Sequence, residues 1–326
     1  MMYHEELLLI KTTKEINMLN MKGKSLISLN DLSTEEFWQI FELSASLKSK
    51  LKNGAPHRIL EGKTLGMIFS KPSTRTRISF EVGIYQLGGI GMYFNQNDLQ
   101  LKKSESIPDT AKVLSRFLNG IMIRTFDHQD VIDLANNSSI PIINGLTDLM
   151  HPCQILADLF TIYEKKKTLK GLKLAYVGDG NNVANSLLHG CSKVGMNISI
   201  ASPKDFQPNK DIVHEANLNA NVSGSKIDIL EDPIEAVKGA DIIYTDVWAS
   251  MGQESEAAKR NEIFKQYQVN PNLVKHAKDD YLFMHCLPAH RGLEVVNEVA
   301  DSKNSVIFDE AENRLHVQKA IMALVM

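Results

Sequence analysis

The sequence predicts an α/β chain of two doubly wound, parallel-sheet domains with helices on both faces. Three observations carry that prediction. Short apolar runs fit for buried strands alternate with segments of helical period. The length, 326 residues, suits about two domains of ordinary size. Near the middle, Glu164-Lys165-Lys166-Lys167-Thr168-Leu169-Lys170-Gly171 is a charged, glycine-terminated break between them.

Composition narrows the class. Hydrophobic residues are 43% and charged residues 23%, ordinary values for a globular chain. A net charge of −3 gives no reason to expect a nucleic-acid partner. No apolar run approaches about 18 residues, so no transmembrane helix is expected. Cys153, Cys191 and Cys286 are odd in number and form no CxxC, so neither a disulfide framework nor a cysteine zinc site is expected. Leu7-Leu8-Leu9-Ile10 follows Glu5-Glu6 and is too short for a signal-peptide core, so the expected location is cytoplasmic.

In chain order, residues 1–20 stand outside the clear pattern and read as an N-terminal extension. Ser33 followed by Glu36 is a capping box, and Phe37, Ile40, Phe41 and Leu47 then share a face that Ser44 interrupts. Residues 64–69 read as a buried strand. They lead into Phe69-Ser70-Lys71-Pro72-Ser73-Thr74-Arg75-Thr76-Arg77 and a helix with Ile78, Val82 and Tyr85 on one apolar face. The first N–H groups of a helix lack internal partners and its dipole favours negative charge there. Ser73 is a good N-cap, Thr74 and Thr76 offer hydroxyls, and Arg75 offers a planar fork that matches phosphate. Arg75 and Arg77 diverge by about 200° around the helix. Arg75 is therefore assigned to an anion and Arg77 to bracing; the other reading is a capped helix with two solvated arginines.

Residues 88–94 predict a second strand, 95–105 a polar loop, and 109–118 a helix. Residues 120–124 predict a third strand ending in Arg124, and 141–146 a fourth. In such sheets ligands collect beyond the carboxyl ends of the strands, where Arg75, Arg124 and His151 all lie. His151-Pro152-Cys153-Gln154 opens the next helix, with His151 and Gln154 on one face. Taken alone, His151 reads more readily as a hydrogen-bonded structural histidine than as a ligand-binding one.

Residues 172–177 predict a strand entering Gly178-Asp179-Gly180 and a helix. The glycine pair is only superficially a dinucleotide fingerprint. A third glycine is missing, and no acidic residue ends the next strand at 198–203. Residues 240–248 and 281–288 predict further strands with turns, and 306–309 the last one. Glu312-Asn313-Arg314 is expected to begin the final helix.

Five blocks resemble one family across nearly the whole chain from residue 21 to 326. They are Ser73-Thr74-Arg75-Thr76-Arg77, His151-Pro152-Cys153-Gln154, Asp246-Val247-Trp248-Ala249-Ser250-Met251-Gly252, His285-Cys286-Leu287-Pro288 and Glu312-Asn313-Arg314. The first two are similar to motifs shared by the transcarbamoylases. The third and fourth resemble blocks of the ornithine carbamoyltransferases that the aspartate enzymes lack.

The resemblance implies that carbamoyl phosphate and L-ornithine are the partners, with citrulline and phosphate as products in arginine metabolism. Carbamoyl phosphate would be bound by Ser73, Thr74, Arg75, Thr76, Gln100, Arg124, His151, Pro152, Cys153, Gln154, Cys286, Leu287 and Arg314. Gln100 would reach into a neighbouring subunit. Ornithine would be bound by Asn182, Asp246, Ser250 and Met251, and Arg124, His151, Cys286 and Asp246 would serve catalysis. Asp246 suits an ammonium group but could simply cap a turn. Cys286 reads either as a contact for the attacking amine or as a buried structural thiol. No metal and no cofactor are implied, nor any nucleic-acid or membrane partner. The implied architecture is a carbamoyl-phosphate domain over 21–165, an ornithine domain over 166–310, interdomain helices, and residues 311–326 returning to the first domain. The implied assembly is a homotrimer or an assembly of trimers. Two rival readings are a carbamoyltransferase for another amine such as putrescine, and a binding protein without turnover.

Overall fold

The structure, a computed structural model, describes residues 19–96, 99, 105–249 and 254–326. Residues 1–18 of the expected extension, and Gln100, Ser250 and Met251 among the expected site residues, lie outside the described residues.

The first half runs α1 (Thr34–Lys52), β1 (Thr64–Phe69), α2 (Thr74–Gln86), β2 (Ile90–Asn95), α3 (Ile107–Leu114), β3 (Gly120–Arg124), α4 (His128–Asn137) and β4 (Ile142–Leu146). The strands form a sheet of order β2-β1-β3-β4, and every pair is parallel. After α5 (Pro152–Lys166) come β5 (Lys173–Val177), α6 (Asn182–Val194), β6 (Asn197–Ala201), α7 (Lys210–Ser223), β7 (Ile227–Leu230) and α8 (Pro233–Val237). Then follow β8 (Ile242–Tyr244), α9 (Ala257–Phe264), α10 (Pro271–Val274), β9 (Leu282–Met284), α11 (Asn297–Ala300) and α12 (Ile307–Val325). The second sheet has order β7-β6-β5-β8-β9 and is also parallel throughout. The expected class, two parallel-sheet α/β domains, is what the chain forms.

The strand orders fix where ligands can bind. In the first sheet the order reverses between β1 and β3, in the second between β5 and β8. The connections leaving those strands diverge to opposite faces and open a crevice at each reversal. The first crevice is framed by residues after Phe69 and Arg124, the second by residues after Val177 and Tyr244.

Local chemistry explains the element ends. The Ser33 side chain accepts from Glu36 N–H and the Glu36 carboxylate accepts from Ser33 N–H, completing the expected capping box. Ser44, which interrupts the apolar face, is buried and donates from Oγ to Ile40 O at 2.6 Å. Helix α5 is buried on every side from Pro152 to Ile162, as a helix between two sheets must be. Helix α12 leaves the second sheet and packs on α1, α2 and α5. Its close approach needs Gly83 in α2, where a Cβ would meet Met322 Cε at 3.0 Å and Lys319 Cγ at 3.3 Å.

Several expectations are corrected. Residues 306–309 are not a strand. Ile307 already begins α12, five residues before the expected start, and only a bridge between Phe283 and Ser305 joins this stretch to the sheet. A run of three apolar residues does not distinguish strand from helix start. Strands β8 and β9 cover only three residues each of 240–248 and 281–288, because the flanking residues turn into loops. Helix α3 starts earlier and ends earlier than 109–118, with Ser106 as its N-cap. On α2 the residues Ile78, Val82 and Tyr85 face outward, whereas Thr76, Phe80, Gly83 and Ile84 are buried. Gly180 serves packing: a Cβ there would lie 2.3 Å from Pro208 N and 2.6 Å from Phe206 O.

Candidate active site

The first crevice begins at the N-terminus of α2. Ser73 caps it, its Oγ accepting from Thr76 N–H at 3.3 Å, and leaves the first-turn N–H groups pointing out of the helix end. Thr76 is buried, and its Oγ1 accepts from Arg314 Nη2 at 3.0 Å and from Arg124 Nη1 at 3.4 Å. Arg124 ends β3 and Arg314 comes from α12, so one threonine hydroxyl on α2 gathers cations from two other elements. The loops are braced: Lys71 Nζ lies 2.6 Å from Asp148 Oδ1 and 4.0 Å from the centre of the Phe126 ring. Ser70 Oγ donates to Thr125 Oγ1 at 3.1 Å. Arg77 turns away, its guanidinium 3.9 Å from the Tyr93 ring centre and its Nε 3.3 Å from Glu81 Oε2.

Burial and crowding of like charges shape the electrostatics. Arg124 is pushed down to about 10, first by burial and then by Arg314 and Arg75. Burial lowers Arg314 as well. His151 is held well below its ordinary range by burial, then by Arg314, Arg124 and Arg75, so its imidazole is neutral at pH 7. Its backbone N–H donates to Ser186 Oγ at 2.7 Å, which fixes the start of α5. Among the described residues, His151 Nδ1, Gln154 Oε1 and Arg314 Nε are buried without a hydrogen-bond partner. Buried polar atoms are normally paired. Their grouping around a cationic crevice suits a small polar anion. Pro152 and Cys153 face the core instead; the Cys153 thiol donates to Asn144 O at 3.4 Å and burial pushes it up to about 12.

The second crevice holds Asp246, just beyond β8. Its Oδ2 accepts from Asn181 Nδ2 at 2.8 Å and its Oδ1 from the Cys286 thiol at 3.1 Å. Burial and the Asp246 charge push that thiol well above its ordinary value, so Cys286 is a protonated donor. Asn182 bonds elsewhere, from Nδ2 to Thr147 O at 2.6 Å, and ties α6 to the end of the first sheet. Asn181 is the residue the sequence reading missed: it caps α6 and also orients Asp246. Arg260 Nη1 contacts both Asp179 Oδ2 and Trp248 O at 2.9 Å, anchoring the stem that leads from Asp246 towards residue 250.

One donor set has the residue types of a metal site. Single ligand atoms of Asp246, His285 and Cys286 lie within 4.8 Å of one another. Both His285 nitrogens are already used, Nδ1 accepting from Leu287 N–H at 2.9 Å and Nε2 facing Glu294 Oε1 at 3.2 Å. That tautomer leaves no free lone pair on the ring for a cation. Leu287, with φ of 58°, follows Cys286 in this turn.

A cationic, largely desolvated crevice at one sheet reversal and a buried carboxylate at the other define a two-domain group transferase. The comparisons with known proteins agree. Residues 24–164 match the carbamoyl-P binding domain of aspartate/ornithine carbamoyltransferase, and residues 170–325 match its Asp/Orn binding domain. The chain is 59% identical over 308 residues to an ornithine carbamoyltransferase of Thermococcus kodakarensis, covering 94% of this chain and 98% of that one. It is 56% identical over 308 residues to an anabolic ornithine carbamoyltransferase of Pyrococcus furiosus, covering 94% and 98%. A solved structure of ornithine carbamoyltransferase from Pyrococcus furiosus superposes with a TM-score of 0.93 at 56% identity, covering 95% of this chain and 99% of that one. The chain belongs to the aspartate/ornithine carbamoyltransferase family.

Proposed function

We propose that this chain transfers the carbamoyl group of carbamoyl phosphate to the δ-amine of L-ornithine, giving L-citrulline and phosphate in arginine biosynthesis. The observation that carries the reading is the buried Thr76 hydroxyl held between Arg124 and Arg314, beside a neutral His151. Phosphate, the leaving dianion, is received by Ser73, Thr74, Arg75, Thr76, Arg314 and the α2 N-terminus. As the neutral amine attacks, charge gathers on the carbonyl oxygen. Arg124, His151 and the Thr76 hydroxyl are donors for that oxygen, fixed before the reaction and shielded from water. Gln154 and the Cys286-Leu287 turn receive the carbamoyl amide, and Gln100 is assigned to a neighbouring subunit's site. Pro152 and Cys153 contribute by placing the start of α5.

Asp246, oriented by Asn181 and Cys286, takes the ammonium of ornithine. Asn182, Ser250 and Met251 are assigned to its α-amino-acid end. A homotrimer or assembly of trimers is supported by the outward apolar residues of α2 and the edge strand β2, where Tyr85 is 75% exposed and Ile90 65%. Among the described residues no helix is long and apolar enough to cross a membrane. A cytoplasmic location fits that chemistry. The domain division at 21–165 and 166–310, with 311–326 returning to the first domain, is supported by the membership of the two sheets and by the packing of α12.

The test supplies carbamoyl phosphate with ornithine and, in parallel, with putrescine, and measures each carbamoylated product. Citrulline forming much the faster is expected. Faster carbamoylputrescine would keep the anion crevice and discard Asp246, Ser250 and Met251 as an amino-acid site. Binding of carbamoyl phosphate without turnover would discard the enzyme reading.

A further inference from the structure

A buried carboxyl pair lies where the two domains meet and takes no part in the reaction described above. Asp158 is on α5 and Glu310 on α12, and both are essentially sealed from solvent. Gln154 Nε2 donates to Asp158 Oδ1 at 2.8 Å and to Glu310 Oε1 at 3.0 Å. The His285 backbone N–H donates to Glu310 Oε2 at 3.0 Å. Tyr244, at the end of β8, places its hydroxyl 3.0 Å from Asp158 Oδ2 and 3.2 Å from Glu310 Oε1.

The hydrogens of this cluster can be assigned by chemistry. The Gln154 amide supplies a hydrogen to each carboxyl, and His285 N–H supplies Glu310 Oε2. A phenol carries one hydrogen. Tyr244 therefore donates to one carboxylate and must accept from the other, and accepting requires a carboxylic O–H. Burial raises both carboxyls, and for Glu310 the neighbouring Asp158 charge raises it further. Two dry carboxylates this close cannot both ionise cheaply. The cationic Arg314, one helical turn beyond Glu310, favours keeping one of the pair charged.

We propose that Asp158 and Glu310 hold a single shared proton, and that Glu310 is a positioning residue locking Gln154 to the His285–Leu287 turn across the domain boundary. The proposal rests on the reading that Gln154 and the Cys286-Leu287 turn receive the carbamoyl end of carbamoyl phosphate. Gln154 comes from the first half of the chain and the turn from the second. Among the described residues only Glu310 bonds to both, so it sets the width of the slot between them. Its proton lets it accept from Gln154 and His285 while donating towards Tyr244, which an ionised carboxylate cannot do.

The test uses the full-length chain with Glu310→Gln, Glu310→Ala and Asp158→Asn. Asparagine at 158 keeps an oxygen for Gln154 Nε2 and an amide hydrogen for Tyr244, and has the charge of a protonated aspartate, whereas glutamine at 310 sets its amide nitrogen against the Gln154 or the His285 donor. Asp158→Asn is expected to retain kcat within about 3-fold of wild type, and Glu310→Gln, which cannot serve both Gln154 and His285, to raise the KM for carbamoyl phosphate. Glu310→Ala is expected to lose on the order of 100-fold in kcat/KM for carbamoyl phosphate, mostly through KM, because buried donors are left unpaired. The KM for ornithine should move little. Infrared spectra of wild type at neutral pH should show a buried carboxylic-acid band that Glu310→Gln or Asp158→Asn abolishes or shifts.

Absence of that band, an Asp158→Asn variant as impaired as Glu310→Ala, or an unimpaired Glu310→Ala variant would each overturn the proposal. If Glu310→Ala does not fold, the band and the Asp158→Asn variant still decide. Failure of wild type to make citrulline would instead sink the functional reading, while the infrared band would still report on the pair.

Discussion

Replacing Thr76 by valine removes one hydroxyl and keeps the volume and branching of the side chain. In the structure that hydroxyl accepts from Arg314 at 3.0 Å and, more weakly, from Arg124 at 3.4 Å. A hydrogen bond to a charged group contributes about 1.5–3 kcal/mol, so the folded state should lose about 2 kcal/mol, mostly through Arg314. A domain with about 5–15 kcal/mol of stability tolerates that loss. Catalysis should suffer more. Loss of one donor aimed at a developing oxyanion costs about 10²–10³ in kcat, or about 2.7–4 kcal/mol. Urea denaturation of the ligand-free protein measures the first term. Single-turnover citrulline formation at saturating substrates measures the second. A Thr76→Val protein with kcat within about 2-fold of wild type would refute the assignment of the hydroxyl to the carbonyl oxygen. A large loss of kcat without any loss of stability would refute the account of how the arginines are held.

The two arginines of the motif should separate cleanly: Arg75→Ala should lower kcat/KM by at least about 100-fold. Arg77→Ala should cost about 1 kcal/mol of stability, through its Tyr93 and Glu81 contacts, and leave turnover nearly intact. The opposite pattern in steady-state kinetics would reverse the assignment. Because His151 is held well below 6.5, it stays neutral above that pH, and any stability this confers is lost only as the pH falls towards its lowered value. His151→Asn should therefore depress the rate at every pH between 7 and 9 without moving the rise that follows deprotonation of ornithine, and a displaced limb would contradict a neutral donor. Gly180→Ala should impair folding, since the new Cβ would meet the backbone of residues 206–208, and wild-type thermal stability would show that the segment can shift.

What the sequence made plain were features with a local cause. The strand at 64–69 is a continuous apolar run, as a strand buried on both faces should be. The Ser33 box and the Ser73 cap are spelled out within four residues. The anion crevice was readable because a strand, a capped turn and a helix start lie in one stretch. What could not be read depends on distant partners. Strand β7 is only half-buried, so it lacks a strong apolar signature. Asn181 and Asn182 are neighbours of the same type, and only the fold decides that the first turns to Asp246 while the second turns to Thr147. Asp158, Glu310 and Tyr244 resemble ordinary helix and strand residues until three separate elements bring them together. The outward face of α2 has the spacing of a core face, and spacing carries no information on which side is covered.

The contact between Thr76 and Arg314 spans 238 positions of chain. Thr76 follows only the first strand of the first sheet, and Arg314 follows every strand of the second. A growing chain can close the first sheet early, because its strands are near neighbours in sequence, but it has no complete anion crevice until α12 emerges and docks. An anion that needs both Thr76 and Arg314 therefore has its whole site only on the finished chain.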